Sequence, residues 1–162
     1  MKNFKNVLAL FALSLVLAAC GGEEESSEPQ TAEETIISIL HDEFKETNSF
    51  NDEDSILDMT YDEETGSVEA EVYAKDNIVS IKGSIEMAIH NILKEFSEDD
   101  RFNSLTISAV FPFSDAYGNS TFNEIYRASF SEETIEKVNW EKFLWDDTPN
   151  IADDLFVHNE IK

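Results

Sequence analysis

Between Ile81 and Phe96, seven apolar residues (Ile81, Ile85, Ala88, Ile89, Ile92, Leu93 and Phe96) recur at helical spacing, and on both sides of this stretch the apolar period changes to two. A stripe that wide, sustained over four turns, has to be covered along most of its length, so this helix belongs at the centre of a core. The flanking segments supply the cover. Leu57, Met59 and Tyr61 alternate ahead of Asp62-Glu63-Glu64-Thr65-Gly66, and Val68, Ala70, Val72 and Ala74 alternate after it, with Glu69 and Glu71 outward. This is a hairpin whose turn places Gly66 where a positive φ is needed. Leu105, Ile107, Ala109, Phe111 and Phe113 alternate next, and Asp115-Ala116-Tyr117-Gly118-Asn119 turns the chain. The return strand puts Phe122, Tyr126, Ala128 and Phe130 on one face and Asn123, Ile125, Arg127 and Ser129 on the other. Pro112 cannot donate to a ladder, which predicts an edge strand or a bulge.

Thr31 and Glu34 form a T-x-x-E capping box, and Ile36, Ile37, Leu40 and Phe44 follow at helical spacing, which predicts a helix over about 32–46. Ser131 with Glu132 and Glu133 opens a short third helix with Ile135 and Val138 inward. Trp140, Phe143, Leu144 and Trp145 form an aromatic cluster behind it, and Trp140 and Trp145 suit either core lids or a recognition patch. Thr148-Pro149 predicts a last helix to about Val157, with threonine at the N-cap. The order is helix, hairpin, helix, hairpin, then short C-terminal helices. We therefore expect residues 31–162 to form one α+β domain with an antiparallel four-stranded sheet and helices packed on one face.

The N-terminus carries a different signal. Residues 1–20 read MKNFKNVLALFALSLVLAAC, with Lys2 and Lys5 ahead of an apolar run from Val7 to Ala19. About a dozen apolar residues are too few to cross a ~30 Å hydrocarbon core as a helix, so residues 1–19 read as an export signal. The run ends at Leu17-Ala18-Ala19-Cys20, which resembles the lipobox of bacterial lipoproteins. The resemblance implies that the Cys20 sulfur receives a diacylglycerol and that the chain is cut before it. Residues 20–30 (CGGEEESSEPQ) then form an acylated cysteine and a flexible acidic tether. The stretch from Asp115-Ala116-Tyr117-Gly118-Asn119 through Lys137-Val138-Asn139-Trp140 to Asp153 is also similar to small, uncharacterised lipoproteins of Gram-positive bacteria. That likeness implies the outer leaflet of a cell membrane and brings no catalytic residue.

Charge excludes one class of partner. Against 11 Lys and Arg stand 35 Asp and Glu, and removal of residues 1–19 takes two lysines and no acid, moving the balance from −24 to −26. Such a body repels nucleic acid. It is also held off an anionic membrane surface within a Debye length of about 8–10 Å.

Motifs for chemistry are sparse. Cys20 is the single cysteine, so there is no disulfide framework and no thiolate zinc cluster. His41, His90 and His158 form no metal-binding helix pattern, and neither G-x-S-x-G nor S-x-x-K occurs. The acidic runs Asp52-Glu53-Asp54, Asp146-Asp147 and Asp153-Asp154 lack the spacing of a calcium loop and read as solvated faces. We expect no catalytic residue, no cofactor and no metal ligand. The outer face of the second hairpin is the candidate binding surface, with Tyr117 at its turn and Asn123 and Arg127 along its return strand. The plainer reading of Arg127 is an ion pair with a neighbouring acid. The sequence thus leads to a non-enzymatic lipoprotein, lipid-anchored through Cys20 on the extracytoplasmic face, that binds a protein or envelope ligand. Two alternatives stay open: a small-ligand or divalent-cation-binding lipoprotein, and a carboxylate-dependent envelope hydrolase.

Overall fold

The computed structural model describes residues 30–75 and 80–162; the expected signal at 1–19 and Cys20 with nearly all of the tether lie outside them. The described elements are α1 (Ala32–Phe44), β1 (Ile56–Asp62), β2 (Ser67–Tyr73), α2 (Ile81–Phe96), β3 (Ser104–Ser114), β4 (Ser120–Phe130), α3 (Glu132–Lys137), α4 (Thr148–Ile151) and β5 (Asp154–Val157). A single 3-10 turn, Trp145–Asp147, runs into α4.

The sheet departs from the sequence expectation. It has five strands in the order β1-β2-β3-β4-β5, and β2 lies parallel to β3, so it is mixed and not an antiparallel four-stranded sheet. The reason is the path of α2. Its 16 residues measure about 24 Å at 1.5 Å each, and the seven residues of β2 measure about 23 Å. The helix therefore carries the chain back to the end where β2 began, and β3 starts beside Ser67, paired with Ser104. A strand–helix–strand crossover of this kind delivers parallel strands.

The fifth strand replaces the expected C-terminal helix. Thr148 is not an N-cap; it lies inside α4, fully buried, and α4 stops at Ile151. Asp154–Val157 then pairs antiparallel with β4 from Ser129 to Tyr126. Phe-Val in an extended segment fits a half-buried pleated surface better than a helix, and the β4 edge stands open to receive it.

Local signals explain most other elements. Thr31 Oγ1 accepts from Glu34 N–H at 3.2 Å while the Glu34 carboxylate accepts from Thr31 N–H at 3.0 Å, closing the capping box of α1. Ile36, Ile39, Leu40 and Phe44 of α1 are buried, and Ile37 is turned out. Ser80 Oγ accepts from Gly83 N–H and starts α2, whose Ile85, Ala88, Ile89, Ile92, Leu93 and Phe96 are buried. These pack on Val68, Ala70, Val72, Leu105, Ile107, Ala109, Tyr126, Ala128 and Phe130 of the sheet. The other sheet face carries Thr60, Glu69, Glu71, Thr106, Ser108, Arg127 and Ser129 and stays solvated.

Two irregularities change which side chains face where. A register shift between Ile56 and Asp58 exposes Leu57, which simple alternation places inward with Met59 and Tyr61. In the second hairpin, Ala109 pairs with Tyr126 but Val110 pairs with Glu124, so Ile125 is the extra residue of a bulge. Ile125 is fully buried beside Tyr126, contrary to the outward position that alternation assigns it. Pro112 sits beyond Val110, where β2 has ended and β3 has a neighbour on one side only, so its missing N–H costs no ladder bond.

Candidate interaction surface

β3 and β4 are each eleven residues long, but β2 reaches only to Val110. The last four rungs, Phe111–Asn123 to Ser114–Ser120, therefore project from the sheet as a two-stranded ribbon of about 13 Å. Its tip is held firmly. The Asp115 carboxylate accepts from the N–H of Tyr117 (2.8 Å) and Asn119 (2.9 Å) and from the Asn119 amide (2.9 Å). The bond from the Asn119 side chain, with those two backbone donors, holds the Asp115 carboxyl below the usual range. Gly118 takes φ +83° to close the turn. Tyr117 stands 91% exposed at the end.

The root of the ribbon is aromatic. Phe50 meets Phe111 edge-on at 5.1 Å between centroids, Tyr73 meets Phe122 at 4.9 Å, and Phe113 lies 5.4 Å from His158. Contacts of this geometry contribute about 0.5–1.5 kcal/mol each beyond burial. Phe50 is presented by a tight loop built on Asn48, whose amide donates to the carbonyls of Glu53 and Asp54 and whose Oδ1 accepts from Phe50 and Asn51.

Tyr117, Asn123 and Arg127 do not form one site. The bulge at Ile125 inverts the alternation, so Asn123 lies on the helix side of the ribbon and Arg127 on the open sheet face. Arg127 already has partners. Its Nη1 lies 3.1 Å from the Glu124 carboxylate, Nε lies 3.7 Å from Asp154, and its guanidinium sits 5.9 Å from the centre of the Phe156 ring. The plain ion-pair reading describes it. Trp140 is a lid over the core, half-buried and donating from Nε1 to the Ile135 carbonyl at 3.3 Å, whereas Trp145 is 42% exposed.

Sequence reasoning missed a polar seam beneath residues 139–152. Lys82, Glu86 and His90 follow one another at four-residue spacing on α2, a signal that was there to be read. Glu86 is only 5% exposed. Its Oε1 lies 3.5 Å from Lys82 Nζ but has no aligned hydrogen-bond donor among the described residues. Burial pushes the Glu86 carboxyl above the usual range against the pull of Lys82. Burial, then the neighbouring Glu86, pushes the Tyr126 phenol up. His90 stacks on Phe143 at 5.8 Å and meets Trp140 edge-on, and burial lowers its pKa.

The histidines stay apart. His41 pairs with Asp54 at 2.9 Å, and His158 accepts from Glu160 N–H. Among the described residues no group of three His, Cys, Asp or Glu is arranged to hold a metal ion. A cleft between the end of α2 and α3 is lined by four acids, Asp99, Asp100, Glu132 and Glu136, over Phe96 and Phe102. There the Arg101 guanidinium, 2.7 Å away, holds the Asp99 carboxyl below its usual range. Comparison with protein-family models, with curated proteins and with solved structures finds no match.

Proposed function

We propose that this protein is a lipid-anchored extracytoplasmic interaction module, held at the cell membrane through Cys20 and presenting the β3–β4 ribbon to a protein or envelope ligand without catalysis. One observation carries the reading: the described chain enters at the end of the sheet opposite the ribbon. Arg101 donates to the Gln30 carbonyl at 3.2 Å and to Thr35 Oγ1 at 3.2 Å, docking the start of α1 beside the turn that opens β3. From Ser104 the strand runs about 34 Å to Ser114. An anchor eleven residues long, at most about 40 Å when extended, attaches to the near end and leaves Tyr117 outermost. The net negative charge keeps the body off an anionic surface.

Two measurements test this. Under metabolic fatty-acid labelling, Cys20→Ser is expected to lose both the label and the membrane fraction; a variant still held in the membrane removes the anchor. A photo-crosslinking residue at position 117 in intact cells is expected to capture a discrete partner that the same residue at Glu63, at the opposite end, does not. Equal capture from both ends defeats the ribbon reading.

A further inference from the structure

We infer that the outer edge of β4 from Ser120 to Glu124 is a self-association site, where a second copy of this chain adds the same segment as an antiparallel strand. The second copy is then the partner of the ribbon, so the pairing rests on the ribbon being an interaction surface, though not on the lipid anchor. The Asp115 N–H donates to the Asn119 carbonyl at 2.9 Å and sets the phase of the ladder. Bonded and unbonded pairs alternate along antiparallel strands, so Phe113–Thr121 and Phe111–Asn123 exchange the bonds. The main-chain groups of Ser120, Phe122 and Glu124 therefore point away from β3. β5 covers this edge of β4 only from Tyr126 to Ser129, and beyond it the His158 N–H reaches the Ile125 carbonyl. Ser120, Thr121, Phe122 and Asn123 are all exposed. The other edges of the sheet are blunted against a further strand. β1 has a register shift between Ile56 and Asp58 and carries Asp58 and Asp62, and β5 has only four residues. On the β3 side of the ribbon, Pro112 falls in an unbonded pair with Phe122, so its nitrogen faces outward and offers no donor. From Ser120 to Asn123, β4 has no proline, no bulge and no charge.

Charge and symmetry decide which strand takes this edge. A body of net charge −24 repels its own copies wherever acids meet. From Val110 to Asn123, however, the one charged residue is Asp115, and its carboxylate is taken up by Tyr117 and Asn119. The ribbon projects about 13 Å, more than a Debye length of about 8 Å at physiological salt, so the two bodies are largely screened from each other. The segment is also self-complementary. With a twofold axis at Phe122, Ser120 lies opposite Glu124 of the second copy, no acid faces an acid, and each outward N–H and C=O finds one partner. Phe122, 42% exposed, meets its own copy as a cross-strand aromatic pair. Asn119 of the second copy comes level with Ile125, where β5 begins, so the free length of edge is filled. A pairing this short falls well below the roughly 20–30 residues a side of a standard interface, and the dimer is accordingly weak.

The test uses the purified full chain with Cys20→Ser, so that thiols can be placed one at a time. Self-association, read by sedimentation equilibrium, is expected to strengthen as salt rises, because salt screens the bodies while the contact itself is uncharged. Ser120→Pro removes an outward N–H, by symmetry two main-chain bonds, and is expected to weaken association roughly tenfold or more. Ser120→Ala keeps that N–H and leaves association unchanged. Among the described residues the Ser120 side chain bonds only to Ser114 Oγ, so both variants stay folded, and an unchanged urea midpoint confirms it. Thiol linkage reads the pairing without any proline. Phe122→Cys is expected to form a disulfide-linked dimer under mild oxidation, since bonded cross-strand pairs lie about 5.5 Å apart at Cα and disulfides span about 4.4–6.8 Å. Tyr117→Cys, at a position 91% exposed but far from the twofold axis, is expected not to link. The inference is overturned by a chain that stays monomeric, by association that weakens with salt, by a folded Ser120→Pro that associates as tightly as wild type, or by linkage at position 117 as fast as at 122. A monomeric chain whose position 117 captures a different protein in intact cells leaves the ribbon reading standing and removes the self-pairing alone.

Discussion

Gly66 and Gly118 form a natural controlled pair, because both take a positive φ (+66° and +83°) at hairpin turns but in opposite surroundings. A Cβ on Gly118 meets nothing within 4 Å. Gly118→Ala therefore carries only the backbone cost of holding an L-residue in the left-handed region, about 1–2 kcal/mol. A Cβ on Gly66 falls 2.8 Å from the Arg101 carbonyl oxygen and 2.8 Å from Asn103 Nδ2. The Asn103 amide can swing away only by giving up its bond to the Thr65 carbonyl at 3.0 Å. The Arg101 carbonyl is backbone and accepts from the Tyr61 hydroxyl. Gly66 also accepts at its own carbonyl from Asn103 N–H at 2.8 Å, so the turn and the start of β3 move together or not at all. Overpacking of this kind adds about 1–3 kcal/mol to the same backbone strain. Gly66→Ala is thus expected to lose about 2–5 kcal/mol and Gly118→Ala about 1–2. Urea unfolding of both variants, followed by circular dichroism at equal pH and salt, reads the difference directly. A gap below about 1 kcal/mol would mean that Gly66 is an ordinary turn glycine and does not pin the parallel junction of β2 and β3.

Three further outcomes follow from the same contacts. Glu86→Leu removes a buried carboxylate oxygen without a hydrogen-bond partner and is expected to stabilise the fold by about 1–3 kcal/mol at pH 7; a less stable variant in urea refutes it. Because the folded pKa of Glu86 is raised, the folded state binds this proton more tightly than the unfolded chain. Its contribution is fullest below the ordinary glutamate value and is lost as pH rises through the folded one. Glu95, also raised by burial and by Glu43 and Asp42, adds to the same downward slope, so Glu86→Leu should lose less stability than wild type across that window; equal slopes would assign the effect elsewhere. Thr31→Ala breaks the capping box where the chain enters α1 and should cost about 1 kcal/mol, measured as a lower urea midpoint. Asp153 accepts from Ser131 N–H at 2.6 Å and from the Thr134 hydroxyl at 2.9 Å, which holds its carboxyl below the usual range. That contribution is present above the ordinary aspartate value and fades as pH falls through the depressed one. Asp153→Ala should speed amide exchange in α3 at neutral pH, and unchanged protection would refute the role.

What the sequence settled by itself is local. The Thr31–Glu34 pair, the stripe from Ile81 to Phe96 and the alternation around Asp62–Gly66 each depend on groups a few residues apart, and short-range hydrogen bonds and burial period are enough to specify them. The candidate site was legible only in part: Tyr117 at an exposed tip follows from the turn residues, and the ion-paired reading of Arg127 follows from the abundance of acids. Tertiary structure decided the rest. The parallel pairing of β2 with β3 depends on α2 and β2 having matching lengths. The separation of Asn123 from Arg127 depends on one extra residue at Ile125, because a slip of one position turns every later side chain to the other face. Phe-Val at 156–157 becomes a strand because β4 offers an unpaired edge there, and Glu86 is buried because residues 139–152 fold back over it. None of these partners is near in sequence, so no local pattern could announce them.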